Sequence, residues 1–104
     1  MSTSPTVCHT PRLSIDETTQ LAEMFKALSH PVRVQILDLI GQGGGELCAC
    51  NIEAYFNLTQ PTISHHLKVL REAGLIRSEN RGVWVHHQVN QEALSNLQTW
   101  LKQI

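Results

Sequence analysis

Four stretches with a helical apolar period, a switch to strand alternation between Leu75 and Val89, and a return to the helical period after Asn90 predict a mainly α, winged helix-turn-helix domain. The expected order is four helices, a β-hairpin and a fifth helix, with the third and fourth helices joined by a tight turn as a helix-turn-helix and the hairpin as the wing. With 104 residues, 41% hydrophobic and 5% aromatic, the chain suits one domain with a thin core, and a domain of this size gains from association. The expected organisation is an N-terminal arm over residues 1–13 and a DNA-binding and dimerisation domain over residues 14–104.

Each element has a local reason. The arm is polar, carries Pro5 and Pro11, and shows neither period. Ser14 and Glu17 stand in capping-box spacing at the start of the first helix, and Asp16 and Glu17 suit the positive end of its dipole. Its expected inner stripe is Leu21, Phe25 and Leu28. Pro31 sits in the first turn of the second helix, where a missing N–H costs nothing, and Val32, Ile36, Leu37 and Ile40 form its expected buried side. The run Gly41-Gln42-Gly43-Gly44-Gly45 is expected to stop that helix and act as a hinge. The third helix is expected from about Leu47 to Phe56, with Ile52, Tyr55 and Phe56 inward. Thr59 is the expected N-cap of the fourth helix, Pro61 lies in its first turn, Ile63, Leu67 and Leu70 form its stripe, and Gly74 closes it in the left-handed conformation. Strands are expected over Leu75–Glu79 and Val83–Val89, with Asn80-Arg81-Gly82 as the turn. Asn90 caps the fifth helix, which runs to about Lys102 with Leu94, Leu97 and Leu101 inward and Trp100 and Ile104 beside them. The first and fifth helices carry more apolar surface than a domain this small needs, so they are the expected homodimer surface.

Composition excludes several classes. No apolar run approaches the roughly 18 residues of a membrane span, and the N-terminus lacks a basic stretch followed by an apolar one, so a cytoplasmic protein is expected. The formal net charge is -1, but residues 1–56 sum to -3 and residues 57–104 to +2. That distribution suits a reader of a short DNA site with a few placed cations more than a general nucleic-acid coat. No nucleophile–base–orienter set is present, and Gly43-Gly44-Gly45 lacks the Lys-Ser/Thr that follows a phosphate loop, so an enzyme is not expected.

The fourth helix is the candidate recognition helix. Gln60, Thr62, Ser64 and His65 are side chains that can reach base edges, and Lys68 can meet phosphate. Arg81, at the wing tip, can enter a minor groove or grip phosphate. His66 is expected to pack against the wing. His65 and His66 lie about 100° apart on a helix, and His86 and His87 point to opposite faces of a strand, so neither pair chelates well. A dimer would present two recognition helices to double-stranded operator DNA of two-fold symmetry.

The odd count of three cysteines argues for reduced thiols with a chemical role. Cys48 and Cys50, at the expected start of the third helix, are placed where a helix N-terminus favours thiolate. On a regular helix they would point about 200° apart. A guest taking both sulfurs would then have to unwind that turn and re-aim the recognition helix. Cys8, from the arm, could supply a third sulfur within or across subunits. Three sulfurs suit a trigonal centre better than tetrahedral zinc, and trivalent arsenic forms three thiolate bonds. No cofactor is expected to be required for folding.

Three stretches, Phe25-Lys26-Ala27-Leu28-Ser29-His30-Pro31-Val32-Arg33, Glu46-Leu47-Cys48-Ala49-Cys50 and Leu58-Thr59-Gln60-Pro61-Thr62-Ile63-Ser64-His65-His66-Leu67-Lys68-Val69-Leu70, with the wing sequence Gly82-Val83-Trp84-Val85, resemble the ArsR/SmtB family of metal- and metalloid-sensing repressors. The resemblance covers roughly residues 20–90. It implies a homodimeric repressor that leaves its operator when an inducer binds. Within the family, the pattern at Cys48 and Cys50 is similar to the thiol site of arsenic/antimony and of cadmium/lead sensors. Glu53 stands where the arsenic prototype has a further cysteine, and the arm offers Cys8 where the cadmium/lead type has two. This set leans towards As(III)/Sb(III) and control of an arsenic-resistance operon, with Cd(II)/Pb(II) response or thiol-redox sensing as alternatives. Residues 90–104 contain no His or Asp and only Glu92, which disfavours the family's other metal site, on the last helix.

Overall fold

Ser14 opens the first helix through the expected capping box: its hydroxyl accepts from the Glu17 N–H at 3.1 Å, and the Glu17 carboxylate accepts from the Ser14 N–H at 2.9 Å. The computed structural model describes residues 9–42, 46–48 and 52–104. It has helices α1 (Ile15–Ala27), α2 (Pro31–Gln42), α3 (Gln60–Glu72) and α4 (Gln91–Gln103), and strands β1 (Glu46–Cys48), β2 (Ile76–Arg81) and β3 (Trp84–Val89). A short helical stretch at Ile52 and Glu53 precedes α3. The architecture is the winged helix-turn-helix that the periodicity predicts.

The recognition helix α3 is fixed at both ends by local chemistry. Thr59 is its N-cap, accepting from the Thr62 N–H, and Pro61 lies in its first turn. At the other end Gly74 has φ +81°. Its N–H bonds to the Arg71 carbonyl and the Leu75 N–H to the Leu70 carbonyl, both at 3.0 Å, the paired bonds of a Schellman cap. Asn90, the N-cap of α4, donates from its side chain to the Gly74 carbonyl at 2.9 Å and so ties the end of α3 to the start of α4.

The core gathers Leu21, Met24 and Ala27 of α1, Ile36 and Ile40 of α2, Ile52, and Ile63, Leu67 and Leu70 of α3, closed by Leu75, Ile76, Val89 and Leu97. In α1 the buried stripe is turned by one position from the expected one. Met24 and Ala27 go inward, whereas Phe25 is 43% exposed and meets Trp100 edge-on with ring centroids 6.2 Å apart. In α4 only Leu97 of the expected stripe is buried, with Leu94 and Trp100 half-buried and Leu101 and Ile104 exposed. In α2 the helix does not stop at Gly41 but includes Gly41 and Gln42. The rest of the expected hinge, residues 43–45, lies outside the described residues.

The largest departure from the sequence reading is at residues 46–48. These do not open a helix; they form β1, which pairs antiparallel with β3, so the wing is a three-stranded sheet of order β1-β3-β2. The registers are Glu46↔Gln88, Leu47↔His87 and Cys48↔His86 on one side of β3, and Ser78↔His87 and Glu79↔His86 on the other. Strand pairing gives β3's second edge a partner, which a two-stranded hairpin would leave to solvent. Tyr55, expected inward, is 70% exposed, whereas Ile52 is fully buried. The hairpin turn also shifts: Arg81 pairs with Trp84, leaving Gly82-Val83 as a two-residue turn. Gly82 supplies the positive φ, +62°, that the first position needs.

Two buried histidines, His66 and His87, hold α3 and β3 in place. His66, on α3, packs not on the wing but against the start of α2. Its ring centroid is 4.7 Å from that of His30, and its Nδ1 is 3.5 Å from Arg33 Nη1. Burial lowers its pKa from 6.5, helped by the nearby His30, Arg33 and His65 charges. His87, on β3, is also buried, with Nδ1 2.8 Å from Ser78 Oγ, and its pKa is lowered by burial, Arg71 and His86.

Two outcomes follow for stability. Leu70→Ala, at a site with no solvent exposure, should cost about 2–5 kcal/mol in denaturant unfolding. The folded chain resists protonating His66, so the unfolded chain takes up the proton first as pH falls below 6.5. Stability should therefore be insensitive to this group above its ordinary pKa, fall as pH drops through it, and level off below the lowered folded value. Urea unfolding across this range should show that loss, and His66→Gln should shrink it.

Candidate DNA-binding surface and thiol segment

The capped N-terminus of α3 presents its polar face outward. Gln60, Ser64, His65 and Lys68 are exposed, and each is of a type that can read a base edge or meet a phosphate. Thr62 is half-buried, and its hydroxyl lies 2.9 Å from that of Thr59. It therefore serves the cap as well as the face. Pro61 has no N–H, and the N–H groups of Thr62 and Ile63 bond to Thr59, so the helix N-terminus adds chiefly the positive end of the dipole.

Beside this helix lies Arg33, a residue whose part was not read from the sequence. Its Nε donates to the Ala27 carbonyl at 2.6 Å, and its Nη1 reaches towards His66 of α3. One guanidinium thus satisfies a carbonyl left open at the end of α1 and braces the recognition helix. Arg33 lies in the Ser29-His30-Pro31-Val32-Arg33 stretch, but its partners are 6 and 33 residues away, beyond the reach of local pattern.

The wing carries Arg81 as the last residue of β2. Its side chain is 44% exposed and forms an ion pair with Glu79 at 3.4 Å. Beyond it Val83 is 89% and Trp84 56% exposed, so the tip combines a cation with apolar surface.

The three cysteines are placed unequally. Cys48 ends β1, an edge strand of the wing sheet and opposite His86. Cys8 and Cys50 lie outside the described residues. The expected device of two sulfurs on one helical turn does not hold for Cys48, because its backbone is extended and has no helical turn to unwind. Among the described residues no group of three or more His, Cys, Asp or Glu could hold a metal ion, the neighbouring His30, His65 and His66 included.

On another side of the domain, Leu13 packs on the core, and Arg12 donates to the Gln103 carbonyl at 2.8 Å, which joins the segment before α1 to the end of α4. Near them, the partly exposed Phe25 and the exposed Ile15, Leu101 and Ile104 leave α1 and α4 with apolar surface. No helix among the described residues is long and apolar enough to cross a membrane.

Comparison with known proteins agrees with this arrangement. Residues 30–78 match the family described as "Bacterial regulatory protein, arsR family". The chain is 37% identical over 78 residues to the transcriptional repressor SdpR of Bacillus subtilis, covering 75% of this chain and 84% of that one. It is 41% identical over 75 residues to the arsenical resistance operon repressor of Staphylococcus xylosus, covering 72% of this chain and 70% of that one. Its fold matches the solution structure of the homodimeric winged helix-turn-helix DNA-binding domain of a "possible ArsR-family transcriptional regulator" from Mycobacterium bovis, with a TM-score of 0.70 and 25% identity, over 92% of this chain and 87% of that one. The chain belongs to the ArsR family of bacterial transcriptional regulators, which are DNA-binding proteins and not enzymes.

Proposed function

We propose that this chain represses an arsenic-resistance operon, binding operator DNA as a homodimer and releasing it when As(III) or Sb(III) takes the thiolates of Cys48 and Cys50, with Cys8 as third donor. The observation that carries this reading is the placement of Cys48 on β1, a strand of the wing sheet itself. A guest that displaces β1 strains its ladder with β3, and β3 is continuous with the turn next to Arg81. Inducer and DNA then compete for the shape of one sheet. The likeness to the arsenical resistance operon repressor of Staphylococcus xylosus supports the choice of arsenical inducer. The apolar surfaces of α1 and α4 support their use as the dimer contact, and the homodimeric Mycobacterium bovis domain supports dimerisation.

In the DNA complex, Gln60, Thr62, Ser64 and His65 face base edges, while Lys68 and Arg81 meet phosphate or the minor groove. Gln60→Ala should cost about 1–3 kcal/mol on the preferred operator and relax its sequence preference. Lys68→Ala should weaken all sequences alike and lower the salt slope by about 1 per subunit. Fluorescence anisotropy over a salt series distinguishes the two. In the same assay arsenite should release wild type, whereas Cys48→Ser and Cys50→Ser should bind DNA normally and stay bound. Normal release by both variants would overturn the thiol assignment.

A further inference from the structure

The free end of the wing is apolar, although nothing in the fold uses it. Val83 is 89%, Trp84 56% and Val85 41% exposed. Trp84 pairs with Arg81 and Val85 with Asn80 across the hairpin, and successive residues of a strand point to opposite faces. The end of the wing is therefore bare on both faces. Towards the core the first buried residue of β3 is His87, three positions from Trp84, so the hairpin projects about 10 Å beyond it. Among the described residues, none of these three apolar side chains belongs to the core or packs against it. In the two-residue turn the conformational demand falls on Gly82, with φ +62°. A valine at the next position is not required by the turn, and leaving it in water forgoes the gain of burial.

We propose that Val83 enters the minor groove of the operator and that Trp84 lies along its sugar wall, so that the wing adds affinity by apolar burial more than by charge. This rests on the reading of α3 as the helix in the major groove and adds a contact outside it. The minor groove is about 6 Å wide and 7.5 Å deep. A two-residue turn that projects free on both faces offers one side chain at its apex, a shape that enters a slot of that width. The walls of the slot are deoxyribose, which takes apolar contact, and its rim is phosphate, which takes a cation. The wing carries both groups in that order: Val83 at the apex, then Trp84 with Arg81 directly across from it. The indole N–H of Trp84 can donate to an oxygen at the rim while its ring stays on sugar. Apolar side chains at such a place are a recurrent means of minor-groove binding.

The test uses the full chain and a duplex that the wild type selects from a random pool. Val83→Ser, at a position open to solvent, should lose about five- to tenfold in affinity with the salt slope unchanged. Hydroxyl-radical cleavage, which reads the sugars lining the minor groove, should show a protected patch that Val83→Ser loses and Gln60→Ala keeps. In wild type the Trp84 indole N–H signal, assigned with Trp84→Phe, should become shielded from a soluble paramagnetic probe when DNA binds. A Trp84 signal equally accessible in free and bound protein overturns the proposal, as does an unchanged footprint in Val83→Ser. A drop in salt slope as large as that of Lys68→Ala also overturns it, since the tip would then act through charge. So does a change of oligomeric state in Val83→Ser, which would make the tip a contact between copies of the chain. Full affinity in Gln60→Ala would overturn the reading of α3 alone, because the footprint reports the wing separately.

Discussion

The antiparallel ladder between β1 and β3 is the constraint on which the rest of the molecule's behaviour depends. It is three residues long, Glu46–Cys48 against His86–Gln88, and it joins a cysteine-bearing segment to the strand that leads into the wing tip. Without it the wing would be a two-stranded hairpin, marginal alone and held only by its packing on the core. With it, the position of Cys48 and that of the wing are one mechanical variable. A ladder this short is also easy to disturb, since each backbone hydrogen bond is worth about 0.5–1.5 kcal/mol net. On the proposed reading, this is the range in which a bound ion changes the outcome.

The recognition helix is held by a different and stiffer set of contacts. Thr59 and the Gly74 cap fix its ends, Ile63, Leu67 and Leu70 seat it in the core, and His66 packs beside His30 and Arg33. A clamped reading head beside a wing on a short ladder divides the work. On the proposed reading, sequence preference resides in α3, and the wing sheet is the part that an inducer moves at small cost. Arg33 links the two helices, because one planar group bonds the end of α1 and lies 3.5 Å from His66 of α3.

Much of this was legible in the sequence where the cause is local. Ser14 with Glu17, Thr59 with Pro61, Gly74 and Asn90 mark helix ends through contacts within a few residues, and each does so in the structure. The period-2 run located β2 and β3, two of the three wing strands. The failures arise where tertiary pairing decides. Glu46–Cys48 is too short to show a period, and its extended form is set by β3, 40 residues on. Met24 and Phe25 are both large and apolar, so only the position of Trp100 settles which turns inward. The cysteine count pointed to a thiol function, but His86 as a neighbour of Cys48 follows from register alone, and register cannot be read from one strand's pattern.

Dimer symmetry decides whether so small a device can work as a switch. Coupling between two sites in one protein is typically about 1–3 kcal/mol, and reversing an equilibrium from nearly all bound to nearly all released takes about 5.5 kcal/mol. One wing at the lower end of that range would dim repression without ending it. On the proposed reading, a homodimer binds a two-fold symmetric operator through both wings at once, so the strain of two loaded sheets acts on a single binding event. Two couplings near the upper end then reach the required total, whereas one does not. On the same reading, the requirement favours an inducer site on each wing over one at the dimer contact: an ion shared at the two-fold axis would act once, while an ion on each β1 would act twice.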